Sequence, residues 1–80
     1  MKIGTVEFQS GDIRVTFDTG ETLNVPLDFF PELAAATPRQ RAGWSLIGRG
    51  IGIHWESLDV DISVENFLAA HSRARLVQYA

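Results

Sequence analysis

Along the first third of the chain, apolar and polar residues alternate with a period of two. In Asp12-Ile13-Arg14-Val15-Thr16-Phe17 the odd positions are apolar and the even ones polar, the pattern of a half-buried strand. Glu21-Thr22-Leu23-Asn24-Val25 continues it with Leu23 and Val25 inward, and an earlier strand places Val6 and Phe8 inward. Parity then fixes the register, because a one-residue slip turns a strand's apolar set to solvent. A three-residue loop, Asp18-Thr19-Gly20, pairs Val15 with Leu23 and Ile13 with Val25, with Gly20 supplying a positive φ. A two-residue Ser10-Gly11 turn pairs Phe8 with Ile13 and Val6 with Val15. The prediction is a three-stranded antiparallel meander with one apolar face.

That face needs a cover, and the spacing of apolar residues lengthens to supply one. Asp28 is placed to cap a short helix in which Leu27, Phe30, Leu33 and Ala34 share a face, with Pro31 tolerated in the first turn. Thr37, Pro38 and Gln40 stand at the N-cap, N1 and N3 positions of a second short helix, stopped by Gly43. Residues 44–47 and 51–55 read as strands around Gly48-Arg49-Gly50, giving five strands in all. Ser63 caps a final helix with Glu65 in its first turn and Ile62 and Phe67 as a hydrophobic staple. Phe67, Leu68 and His71 point inward, and residues 71–80 form a frayed tail or extend the helix. The fold class is α+β: an N-terminal three-stranded antiparallel meander, short helices, a second β-hairpin, and a C-terminal helix packed on the sheet. It forms one small domain over residues 1–80.

Size and composition narrow the functions available. At 80 residues, roughly 60–65% of the unfolded chain's surface is buried on folding, which leaves a thin core. With Cys 0 there is no disulfide and no thiolate zinc site, so the core or a second subunit must hold the fold. Hydrophobic content of 45% suits a packed domain. No apolar run approaches the roughly 20 residues of a membrane span, and Met1-Lys2-Ile3-Gly4 enters strand-like sequence directly, so a cytoplasmic location is expected. A net charge of −3 argues against nucleic acid as the partner. Arg39 and Arg41 flank the second short helix, and Arg73 and Arg75 read as favourable charge at the C-terminus of the last one.

The chemistry candidates concentrate between Trp44 and Ser63. Gly48-Arg49-Gly50-Ile51-Gly52 lacks the G-x-G-x-x-G spacing of a dinucleotide loop, and a strand rather than a helix follows it. It also lacks the Lys-Ser/Thr ending of a P-loop. A tight hairpin explains it, with Gly52 marking a bulge or a close backbone approach. His54 lies on the strand face opposite Ile53 and Trp55, with Glu56, Asp59 and Asp61 near enough to bond it or to form a metal site with it. No cysteine and no G-x-S-x-G elbow offers a nucleophile, and a thin domain seldom holds the deep cleft that paired carboxylates need. The reading is not an enzyme, and no cofactor is expected. Trp44 and Trp55 each serve either the core or an interface.

Trp44, then Leu46-Ile47-Gly48-x-Gly50-x-Gly52-Ile53-His54-Trp55, then Leu58-Asp59-x-Asp61-Ile62-Ser63-Val64 resembles the hallmark of DUF2442, a bacterial family of unknown function. Val25-Pro26-Leu27, Phe30-Pro31 with Leu33, and the stretch around Thr37-Pro38-x-Gln40-Arg41 resemble its middle, so the likeness covers roughly residues 3 to 70. The resemblance implies a small cytoplasmic α+β protein. Some members carry a further helix-turn-helix domain that this length has no room for. Members are often encoded beside another small protein in an arrangement suggestive of toxin–antitoxin pairs. The family assigns no catalytic or ligand residue; the match marks Gly48, Gly50, Gly52, His54, Trp55, Asp59 and Asp61 without roles. The expectation is therefore a non-catalytic protein–protein interaction module, antitoxin-like, that binds a neighbouring small protein or itself through Trp44, Arg49 and the hairpin. The alternative is a small-ligand or metal-binding domain built on His54 and the nearby carboxylates. A free edge on a five-stranded sheet invites homodimerisation.

Overall fold

The computed structural model describes residues 1–79, with side chains described through residue 76. Its first half is the expected meander. Strands β1 (Ile3–Gln9), β2 (Asp12–Phe17) and β3 (Thr22–Pro26) lie in the order β1-β2-β3. Phe8 pairs with Ile13, Val6 with Val15, Val15 with Leu23 and Ile13 with Val25, as parity requires. Ser10 and Gly11 both take positive φ, 49° and 82°, which matches the turn twist to that of the strands. Gly20 sits at φ 92°. An irregularity between Ile3 and Thr5 shifts the phase of β1, so Ile3 is buried like Val6 although the two lie an odd three positions apart.

The cover departs from expectation. The first helix is divided: a 3-10 turn spans Leu27–Phe29, and α1 (Pro31–Ala34) starts afresh with Phe30 at its N-cap. Asp28 caps nothing, and neither piece has a side-chain cap. Pro31 is the cause, because its ring drives the preceding residue out of the helical region, and Phe30 stands at φ −130°, ψ 81°. Helix α2 (Pro38–Ala42) carries the predicted capping box, with Gln40 N donating to Thr37 Oγ1 at 3.1 Å and Thr37 N donating to Gln40 Oε1 at 2.9 Å.

The second half holds three strands where two were expected, six in the chain rather than five. Strands β4 (Trp44–Ile47), β5 (Gly52–Trp55) and β6 (Val60–Ser63) form a separate three-stranded antiparallel sheet in the order β4-β5-β6. The stretch expected to lead only into the last helix is thus a strand: Val60 and Ile62 are buried and Asp61 exposed, in strict alternation. A 3-10 turn over Glu56–Leu58 ends at Asp59, whose left-handed φ of 53° reverses the chain into it. The single five-stranded sheet is therefore replaced by two small sheets.

Helix α3 (Val64–Tyr79) resolves the open question of the tail by running through it. Ser63 Oγ accepts from Asn66 N at 3.1 Å and donates to Asn66 Oδ1 at 2.8 Å. The buried stripe is Val64, Phe67, Ala70 and Ala74; Leu68 lies off that stripe and is exposed, and His71 is half-buried. Ala70 and Ala74 are buried on α3, which packs against β3. Because α3 continues past them, Arg73 and Arg75 are not in its last turn. Arg73 instead sets its guanidinium 5.9 Å from the Phe29 ring centroid. The Phe30 and Phe67 rings stack at 6.0 Å, tying α1 to α3. One continuous core draws on both sheets and α3, with Ile13, Val15, Val25, Ile53, Trp55 and Phe67 at its centre.

Candidate functional site

The glycine hairpin is held from within. Gly50 N and Ile51 N both donate to Ile47 O, at 3.1 and 3.2 Å, so these amides are not presented to a ligand. Gly48 and Gly50 take φ 57° and 106°. The close backbone approach expected at Gly52 occurs there, where a Cβ would meet Ile62 O at 3.1 Å, and far more severely at Gly50. A Cβ on Gly50 would lie 2.3 Å from Ile3 O, and Gly50 O accepts from Ile3 N at 2.8 Å. Gly50 is therefore the point at which the turn of the second sheet docks on the edge of the first. Arg49 is exposed at the tip, and Ile51 beside it is 57% exposed.

His54 stands on the outer face of β5, opposite Asp61 in the register of β6. Its Nδ1 lies 2.5 Å from Asp61 Oδ1 and its Nε2 lies 2.6 Å from Glu56 Oε2. A neutral imidazole has one N–H, so both contacts are donated only by the imidazolium. The side-chain bonds to Glu56 and then Asp61 raise the His54 pKa from its ordinary 6.5. The two carboxylates approach opposite edges of the ring, so no single point receives one ring nitrogen and both acids. Asp59 is spent on the left-handed turn, and among the described residues no group of three or more His, Asp or Glu side chains is placed to hold a metal ion.

A pH dependence follows. A folded-state pKa above the unfolded one makes this cluster stabilising below the unfolded value of 6.5, and that contribution is lost as pH rises through the folded pKa. Thermal melts of the wild type and His54→Gln should differ most below pH 6.5 and converge as the pH rises through the raised folded-state pKa. A melting-temperature gap that is independent of pH, or an NMR-titrated His54 pKa below its ordinary value, contradicts the pairing.

The two tryptophans, which sequence left undivided, have different fates. Trp55 is fully buried and donates its Nε1–H to Arg41 O at 2.9 Å. Trp44, its cross-strand partner, is half-buried and stands in a surface groove of about 640 Å³ together with Val6, Phe8, Leu27, Pro38 and Arg41. That volume falls within the roughly 300–1,000 Å³ of ligand-holding clefts. Arg41 lines it, fixed by Nε–H donation to Leu33 O at 2.8 Å and Nη2–H donation to Ala34 O at 3.0 Å. Of the residues singled out from sequence, only Trp44 lies in the groove; His54, Asp61 and Glu56 form their own exposed cluster, and the glycines, Trp55 and Asp59 shape the fold. Val6, Phe8, Leu27 and Arg41 were not foreseen as a site, because the groove joins β1 to α2 and β4 across more than 30 positions of sequence.

Comparison with known proteins adds fold and kinship. The fold is similar to the crystal structure of a protein of unknown function from Rhodospirillum rubrum, with a TM-score of 0.74 and 28% identity, covering 85% of this chain and 84% of that one. No curated protein matches the chain. The sequence matches DUF2442, protein of unknown function, over residues 3–72, which takes in both sheets and the first half of α3. On that match, the chain belongs to the DUF2442 family.

Proposed function

We propose that the chain is a non-catalytic protein–protein interaction module, an antitoxin-like cytoplasmic partner of a neighbouring small protein. The observation that carries this reading is Trp44, a large aromatic side chain left half-exposed in an apolar groove on a chain whose other tryptophan is wholly buried. Trp in a rimmed groove is the residue type that most often anchors an interface. The net charge of −3 complements a basic partner, speeding encounter and selecting against acidic ones. Ligand binding at His54, the alternative, draws no support from the geometry, because both ring nitrogens already face carboxylates.

A tagged pull-down from native lysate, read by mass spectrometry, tests the reading. A stoichiometric partner is expected with the wild type and lost with Trp44→Ala, while circular dichroism shows the variant folded. A wild type that retains nothing and sediments as a strict monomer overturns it. Trp55→Ala is unsuitable as the control, because its loss would empty the core.

A further inference from the structure

Resting on the interaction reading above, we infer that the partner binds by strand addition: an extended, basic-flanked segment of another protein lies along the free edge of β1, with its apolar side chains in the Trp44 groove. The backbone supplies the first argument. The two-residue turn makes Gln9 and Asp12 the hydrogen-bonded closing pair of the β1–β2 hairpin, and bonded pairs then alternate along the ladder. Glu7 and Arg14 exchange bonds; Val6 and Phe8 turn their N–H and C=O groups away from β2. Since β1 is the edge of its sheet, those groups meet no backbone partner among the described residues, and the edge bond that does form there is Ile3 N to Gly50 O. An edge with unpaired N–H and C=O groups is a template for another strand.

The groove supplies the second. It opens beside this same segment, so a chain bonded to Val6 and Phe8 would run between β1 and the wall formed by Pro38 and Trp44. Alternate side chains of such a segment would fall on the aromatic and aliphatic surface of Phe8, Leu27 and Trp44.

Charge supplies the third, and it selects the partner's flanks. Glu7 and Asp12 border the groove, and among the described residues neither forms an ion pair. Arg14, the register partner of Glu7, gives its Nε–H to Asn24 Oδ1 at 2.9 Å, and the Arg41 guanidinium is committed to the carbonyls of α1. Two unpaired carboxylates beside a strand edge favour lysine or arginine on the incoming segment.

Selection from a displayed library of random nine-residue peptides against the intact chain tests the inference. Enriched peptides should alternate apolar residues with polar ones and carry Lys or Arg. The best of them should slow exchange of the Val6 and Phe8 amides at least about tenfold while leaving Glu7, already bonded to β2, little changed. N-methylating that peptide at alternate positions should abolish binding in one phase and spare it in the other. Trp44→Ala should weaken it about thirtyfold, and Glu7→Lys, a change at an exposed position outside the core, should weaken it as well. Enrichment of acidic or helical peptides, failure to enrich any, or binding without protection of Val6 and Phe8 overturns strand addition. Protection of these amides that grows with protein concentration alone overturns it in favour of a second copy. The pull-down decides the broader interaction reading independently of these results.

Discussion

Gly50→Ala is expected to lower stability by about 3 kcal/mol or more, one of the largest single-residue effects this fold allows. Two penalties coincide. The φ of 106° lies where a Cβ is strained whatever surrounds it, and the added carbon would meet Ile3 O at 2.3 Å and Ile3 N at 2.8 Å. The obstacle is backbone rather than the end of a flexible side chain, and Ile3 is itself 2% exposed, so relief requires the two sheets to part. Parting them breaks the bond from Ile3 N to Gly50 O and opens the core around Ile3. Gly48→Ala is the comparison: it sits at φ 57°, and its nearest neighbour is the Ile51 side chain at 3.5 Å, so about 1 kcal/mol is expected. Urea denaturation of the two variants beside the wild type measures the difference. Equal midpoints for the two would show that the approach of the turn to β1 does not hold the sheets together.

The same contact shows why part of this fold can be read from sequence and part cannot. Hairpin register in the first sheet follows from parity alone, since Val15, Ile13, Leu23 and Val25 leave one arrangement that buries all four. Two of the three expected helix caps, Thr37 with Gln40 and Ser63 at α3, are local chemistry within a four-residue window and were legible; the third, Asp28, caps nothing. The strand Val60–Ser63 was not, because four residues beginning beside two acids and ending in a helix cap carry too few alternations to stand against the cap signal. Missing it hid the division into two sheets. The bonding of His54 to nearby carboxylates was legible, but which ones was not: Asp61 faces it through the β5–β6 register, Glu56 lies two residues on, and Asp59 is taken up by the turn. Phe30 shows a different failure: the helical spacing of Leu27, Phe30 and Leu33 is real, but Pro31 overrides it locally.

Residues that carry the family hallmark turn out to be occupied with shape. Gly50 and Gly52 admit neighbouring backbone, Asp59 reverses the chain, Asp61 and Glu56 bracket His54, and Trp55 fills the core. A motif this fully employed leaves few groups free to act on a substrate. The half-exposed aromatic and the unpaired backbone lie elsewhere, where β1 faces α2 and β4. On the proposed interaction reading, that placement favours the groove over the hairpin as the binding surface, with Trp44 in the groove and Trp55 in the core.

Trp55→Ala is expected to cost about 4 kcal/mol, and Trp44→Ala only about 1–2 kcal/mol. Trp55 is 0% exposed and among the largest fully buried side chains, so truncation leaves a cavity among Ile53, Val60 and their neighbours that a thin core cannot close. Its indole N–H also satisfies Arg41 O at the end of α2, and alanine leaves that carbonyl without its partner. Trp55→Phe separates the two contributions: it keeps most of the packing but drops the bond, for about 1–2 kcal/mol. For a domain of this size a loss of about 4 kcal/mol is comparable with the whole stability, so Trp55→Ala should be largely unfolded before denaturant is added. Trp44→Ala should keep a cooperative transition, its loss falling on the proposed binding rather than on the fold. Chemical denaturation followed by circular dichroism distinguishes them, and the reverse order of stabilities would place Trp44 in the core and remove the basis for the groove as a binding surface.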